Sequence, residues 1–189
     1  MLLMEPNINI NLIIIRHFKT FRDQKNNEKI KYNNAFEHST SFIKFIKNTL
    51  DKSPEINNIK FITSPQERTI ITGLIISNCI KNEIIEKKIK NNIKITEPVI
   101  DDILDRDPNK EKEKDMHDYF KNNSLNFNSN TLYIYITHSS VIYTFFKCLM
   151  DFLKVSTTFD LEKHISSYSL TYVGKKENTI KYKFNKNMK

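Results

Sequence analysis

The stretch that most constrains this chain is Asn11–Arg22, NLIIIRHFKTFR. Leu12, Ile13, Ile14 and Ile15 follow one another without a polar residue between them. A strand with no alternation has no face to give to water, so it must be covered on both sides. That is the pattern of a central strand in a parallel sheet. The run then stops at Arg16 and His17. A strand this apolar has little reason to end in two cation-capable side chains unless they face a polar pocket.

The rest of the chain alternates in type. Helical spacing of apolar residues predicts helices over Ala35–Leu50, over Pro65–Ile80 with a stripe of Ile70, Ile71, Leu74, Ile75 and Cys79, and over Val141–Leu153. Lys60–Thr63, Ile93–Ile95 and Thr131–Thr137 read as strands. Ser169–Val173 and Thr179–Phe184 flank KKEN and read as a terminal hairpin. The Asn-rich patches Asn26–Asn34 and Asn122–Asn130 read as loops, and the charge run Asn109–Asp115 as a solvated loop or helix face. Strand–helix alternation predicts a three-layer α/β/α sandwich with a mostly parallel central sheet. The 189 residues suit one domain over 1–189 with a variable insertion around 101–130.

Composition narrows the function classes. The net charge of +8 invites a nucleic-acid reading, but Lys, Asn and Ile are all abundant while Gly is scarce and Trp absent. AT-rich coding produces that profile, and no nucleic-acid-reading motif accompanies the charge, so nucleic acid is not an expected partner. A basic surface still favours an anionic substrate. No apolar run approaches the roughly 18 residues a membrane span needs. MLLMEPNINI lacks the basic start and long apolar core of a signal peptide. Cys79 and Cys148 lie in apolar helical patterns and read as free thiols, which points to a reducing, cytoplasmic location.

In open α/β sheets, sites form outside the carboxyl ends of the strands. Beyond three predicted strand ends stand Arg16-His17, Ser64-Pro65-Gln66-Glu67-Arg68 and His138-Ser139-Ser140. In the second segment Ser64 suits a helix cap, Pro65 the first helical position, and Glu67 completes a Ser-x-x-Glu capping box. Arg68 then falls in the first turn, where a cation opposes the helix dipole unless an anion sits nearby. Ser139 or Ser140 suits the cap of the following helix, whose N-terminus favours anions. Two arginines and two histidines around one cleft suit a phosphoryl group. A neutral imidazole can attack phosphorus, and the other groups can neutralise and orient the equatorial oxygens.

These residues also carry a resemblance. Arg16-His17-Phe18-Lys19-Thr20 resembles the RHGxT motif of the histidine phosphatase (phosphoglycerate mutase-like) superfamily. Ser64-Pro65-Gln66-Glu67-Arg68-Thr69-Ile70-Ile71-Thr72 is similar to its SPxxRAxQT segment, Thr137-His138-Ser139-Ser140-Val141-Ile142 to THGxxI, and Ser167-Tyr168-Ser169-Leu170-Thr171 to the late NxSIT segment. The resemblance implies a phosphoglycerate mutase-like fold and a metal-independent phosphatase without a cofactor. It implies His17 as the phosphorylated nucleophile, and Arg16, Arg68 and His138 as the phosphate pocket. The implied general acid lies between the second and third motifs. Asp102 fits best, with Asp101 and Asp105 (in Ile103-Leu104-Asp105) as alternatives. The implied substrate is a phosphorylated small molecule or phosphoprotein.

The departures from the pattern are specific. Phe18 and Ser139 stand where the motifs have glycine, Asp23 where many members have Asn, and Ser167 at the late Asn. Two other readings stay open on the sequence. One is mutase-type phosphoryl transfer, for which the chain is short. The other is a catalytically weak phospho-ligand or protein-binding module on the same fold. The substrate and the oligomeric state are not legible in the sequence.

Overall fold

The computed structural model describes residues 11–152, apart from 19, 24, 26, 27, 31, 87, 90, 91, 106–110 and 124–126, together with the backbone of 169–176 and 179–185. Its elements follow in the order β1 (Asn11–Arg16), β2 (Thr20–Arg22), β3 (Glu28–Ile30), α1 (Tyr32–Lys52), β4 (Asn58–Thr63), α2 (Glu67–Ile85), β5 (Lys94–Ile95), β6 (Val99–Ile100), a 3-10 turn (Asp102–Leu104), α3 (Glu111–Asn123), β7 (Thr131–Thr137), α4 (Ser139–Phe152), β8 (Ser169–Lys176) and β9 (Thr179–Asn185). Ser167 and Tyr168 of the late motif lie outside the described residues.

The main sheet runs β5-β4-β7-β1-β8-β9, with β6 also paired to β4. β1, β7, β4, β5 and β6 pair in parallel, whereas β8 joins β1 and β9 antiparallel. The sheet is therefore mostly parallel, and the predicted terminal hairpin forms its antiparallel edge. Both faces are covered, which is why β1 and β7 carry no polar alternation. Successive side chains point to opposite faces. Ile13, Ile15, Phe61, Ile134 and Ile136 pack with α1 and α2 through Phe42, Ile46, Leu50, Ile76 and Ile80. Leu12, Ile14, Tyr133 and Tyr135 pack on the other face with Met116 and Phe120 of α3 and Ile142, Phe145 and Leu149 of α4. The expected three layers follow from these two cores.

Two local readings change, and a third is narrowed to one of its two alternatives. The Asn26–Asn34 region contains a strand and the start of α1, and β3 pairs with β2 as a small separate hairpin. Glu111–Asp115 belongs to α3, so the charge run sits on a helix face. In α2 the most buried stripe is Thr69, Thr72, Gly73, Ile76, Ser77 and Ile80, one position round from the predicted one, and Leu74 is exposed. Small side chains bring this helix close to the sheet. A Cβ on Gly73 would stand 3.0 Å from Thr63 Cγ2 and 3.3 Å from Ile136 Cδ1. The buried hydroxyls are satisfied by local backbone: Thr69 Oγ1 donates to Ser64 O, Thr72 Oγ1 to Arg68 O and Ser77 Oγ to Leu74 O.

Among the described residues, no helix is long and apolar enough to cross a membrane.

Candidate functional site

Register decides which strand ends meet. Arg16 pairs with Thr137, and the His17 N–H donates to Thr137 O at 3.0 Å. On the other side of β7, Thr63 pairs with Ile136, and the Ser64 N–H donates to Ile136 O at 3.1 Å. Beyond β4, Ile100 pairs with Thr63, and the Asp101 N–H donates to Thr63 O at 2.8 Å. The parallel strands β1, β7, β4 and β6 thus end side by side. At one edge they set out His17, His138, Ser64 and the Asp101–Asp105 segment in that order.

The two histidines meet directly. Their ring centroids lie 5.2 Å apart with the planes at 62°. Nδ1 of His17 is 2.7 Å from Phe18 O. A carbonyl can only accept, so Nδ1 is the donor and the lone pair of the neutral ring sits on Nε2. His138 is buried, and its Nε2 lies 3.0 Å from Ser64 Oγ. Arg16 is the last residue of β1 and Arg68 lies in the first turn of α2; both are half-buried.

Several expectations on capping are corrected. Ser64 does not cap α2, because the helix begins at Glu67 and Gln66 stands at the N-cap without a side-chain capping bond. Ser64 Oγ instead accepts the Gln66 N–H at 3.2 Å while it contacts His138. The hydroxyl that sequence assigns to a helix end is bound into the site. Likewise α4 starts at Ser139, and His138 O receives the N–H groups of Val141 and Ile142. His138 is therefore itself at the helix start, and neither Ser139 nor Ser140 is its cap.

The departures from the motifs find places too. Phe18 does not stand over the site, because its ring is buried in the core beneath α1 and α2. Its N–H donates to Thr72 Oγ1 at 3.1 Å, which ties the turn after β1 to the helix that carries Arg68. Asp23 Oδ1 accepts the Lys25 N–H at 2.9 Å, so this carboxylate closes the turn between β2 and β3.

The three candidate aspartates differ. Asp101 Oδ1 accepts the Ile103 N–H and caps the 3-10 turn. Asp102 is exposed at the start of that turn. Asp105 is half-buried, and its Oδ1 accepts Nε2–H of Gln66 at 3.0 Å. The turn itself is held by Thr137 Oγ1, which donates to Leu104 O at 2.6 Å. Sequence reading missed the contacts of Gln66, Thr72 and Thr137. No local pattern signals them, because each joins residues 33 to 54 positions apart.

No family model matches the sequence, and no curated protein matches it. Solved structures do match in shape. One is a protein of Agrobacterium tumefaciens assigned to the phosphohistidine phosphatases (SixA), at 10% identity and TM-score 0.47, with 93% of this chain and 95% of that chain covered. A mycobacterial glucosyl-3-phosphoglycerate phosphatase matches at 8% identity and TM-score 0.48, with 93% and 97% covered. A phosphoserine phosphatase from Entamoeba histolytica matches at 11% identity and TM-score 0.47, with 93% and 96% covered. With identities this low and TM-scores below 0.5, the functional reading rests on the residues themselves.

Proposed function

We propose that this chain belongs to the histidine phosphatase superfamily and hydrolyses phosphate monoesters without a metal, through a phosphohistidine on His17. The observation that carries the reading is the meeting of His17 and His138 at adjacent strand ends, with Nδ1 of His17 committed to Phe18 O. That commitment leaves Nε2 as the nitrogen to form a bond to phosphorus. As it does so, the ester P–O bond breaks and the leaving oxygen takes a proton from a carboxylic acid. Water then attacks phosphorus, the P–N bond breaks, and the aspartate recovers a proton from that water. Arg16, Arg68 and His138 neutralise the charge on the transferring group. The substrate class is a phosphorylated small molecule or phosphoprotein, and the expected location is the cytoplasm.

For the acid, the turn after β6 offers three aspartates. Asp102 fits the sequence pattern best, but it is the most exposed. Asp105 is favoured by its bond to Gln66, two residues before Arg68. The test is hydrolysis of p-nitrophenyl phosphate in EDTA by wild type and His17→Ala. Wild type turns over and His17→Ala is silent; activity that survives His17→Ala, or that requires added metal, overturns the mechanism. Phosphate or vanadate binding without turnover on a broad ester panel supports a binding module instead.

A further inference from the structure

The turn that carries the candidate aspartates is not a loose loop above the site. It is fastened to both neighbouring strand ends by side chains. Thr137, the residue before His138, donates its hydroxyl to Leu104 O, the residue before Asp105. Gln66, two residues after Ser64, donates its side-chain amide to Asp105 Oδ1. Asp101 closes the near end through its N–H to Thr63 O. The carboxyl group of Asp105 is thus held from the segment before Arg68, while its backbone is held from the strand that leads to His138.

We propose that Gln66 is a positioning residue that fixes the Asp105 carboxyl for proton donation to the leaving oxygen, with Thr137 holding the backbone of the same turn. The proposal rests on the phosphatase reading and deepens it. An amide N–H on Oδ1 makes that oxygen the acceptor of the carboxyl group and assigns the transferable proton to Oδ2. It also restrains the rotation of the carboxyl about its own bond. Orientation matters most when the leaving oxygen is a poor leaving group, because proton transfer is then far advanced in the transition state. A p-nitrophenolate leaves without that help.

The experiment compares an alkyl phosphate monoester with p-nitrophenyl phosphate for wild type, Gln66→Met, Gln66→Lys, Asp105→Asn, Asp102→Asn and the Gln66→Met/Asp105→Asn pair. Asp105→Asn is expected to lower kcat/KM for the alkyl ester about 100-fold, and Gln66→Met about 10-fold. kcat/KM for p-nitrophenyl phosphate is little changed by either, whereas its kcat falls in Asp105→Asn, because the same carboxyl takes the proton from water when the phosphohistidine is hydrolysed. Gln66→Lys restores a donor, but as a cation it favours the ionised Asp105 carboxyl, so the alkyl rate is not recovered above that of Gln66→Met. In the Asp105→Asn background, Gln66→Met has no further effect, because it acts through that carboxyl. Equal losses of kcat/KM on both esters, additive losses in the pair, or a selective loss in Asp102→Asn in place of Asp105→Asn each overturn the proposal. A readout independent of turnover accompanies these rates. The side-chain amide resonance of Gln66 shifts in Asp105→Asn, and an unmoved resonance refutes the contact itself. Absence of ester hydrolysis by wild type removes the phosphatase reading, and the positioning role with it, even where the amide resonance moves.

Discussion

Phe18 replaces the glycine of the motif that the segment after β1 resembles, and the substitution does not narrow the site. Its backbone N–H is bound to Thr72, and its ring is 7% exposed among Ile13, Ile15, Ile30 and Ala35. The residue has become part of the core on the side of α1 and α2. Phe18→Gly is therefore expected to cost about 3–5 kcal/mol, the range for deleting a buried aromatic ring. Urea denaturation measures this, and turnover per folded molecule is expected to stay at the wild-type level. A stability loss well under 1 kcal/mol would contradict the buried placement. Asp23 follows the same logic. Its Oδ1 accepts the Lys25 N–H, which gives this carboxylate a local role in the chain that follows β2.

At the scale of the element, α2 shows how helix and site are joined. Its buried stripe is small and partly polar, which lets it sit close against β4 and β7. Thr63 is fully buried, and β-branched side chains have little χ1 freedom, so it cannot give way to a new methyl group. Gly73→Ala gains roughly 1 kcal/mol of helix propensity but loses about 1–3 kcal/mol to overpacking. The net expectation is a lower melting temperature by roughly 2–4 °C per kcal/mol lost for a chain of this length. Thr63→Ser, which removes the obstructing Cγ2, is expected to recover part of the loss in the double variant. A Gly73→Ala protein that melts higher than wild type would refute the close approach. Because α2 begins within four residues of Ser64, such a shift also reaches Gln66 and Arg68, and activity is expected to fall with stability.

For the molecule as a whole, the second core contains ionisable groups that tie its layers together. The hydroxyls of Tyr119 on α3 and Tyr135 on β7 lie 3.2 Å apart. Burial, opposed by the hydrogen bond with Tyr135 and helped by Asp101, pushes the Tyr119 phenol up to about 12, and burial also raises Tyr135 well above its ordinary value. For an acid whose folded-state value is raised, the unfolded chain loses its proton first. The stabilisation is complete below about pH 10 and declines as pH rises from 10 towards 12. Denaturation midpoints measured from pH 8 to 11.5 should hold steady and then fall above about 10, and Tyr119→Phe should flatten part of that fall. A midpoint independent of pH across that range would mean the phenols are not buried together. Cys148 has a similar history: burial pushes its thiol up to about 11, which suits an inert core residue.

The layers follow from the order of residues alone, because apolar periodicity is local. An uninterrupted run such as Leu12–Ile15 is typical of a strand covered on both faces, and β7 repeats the pattern. The same order also sets which residues stand at the strand ends, since those ends are where the apolar runs stop. Arg16-His17 and His138 were legible for that reason. The tertiary structure alone decided what those residues touch. Ser64 reads as a helix cap and is instead bound to His138, Gln66 binds Asp105, and Phe18, which stands where the motif has glycine, is core. Such contacts join distant parts of the chain, and they are fixed by strand register and by how closely α2 lies on the sheet, neither of which any local pattern of residues encodes.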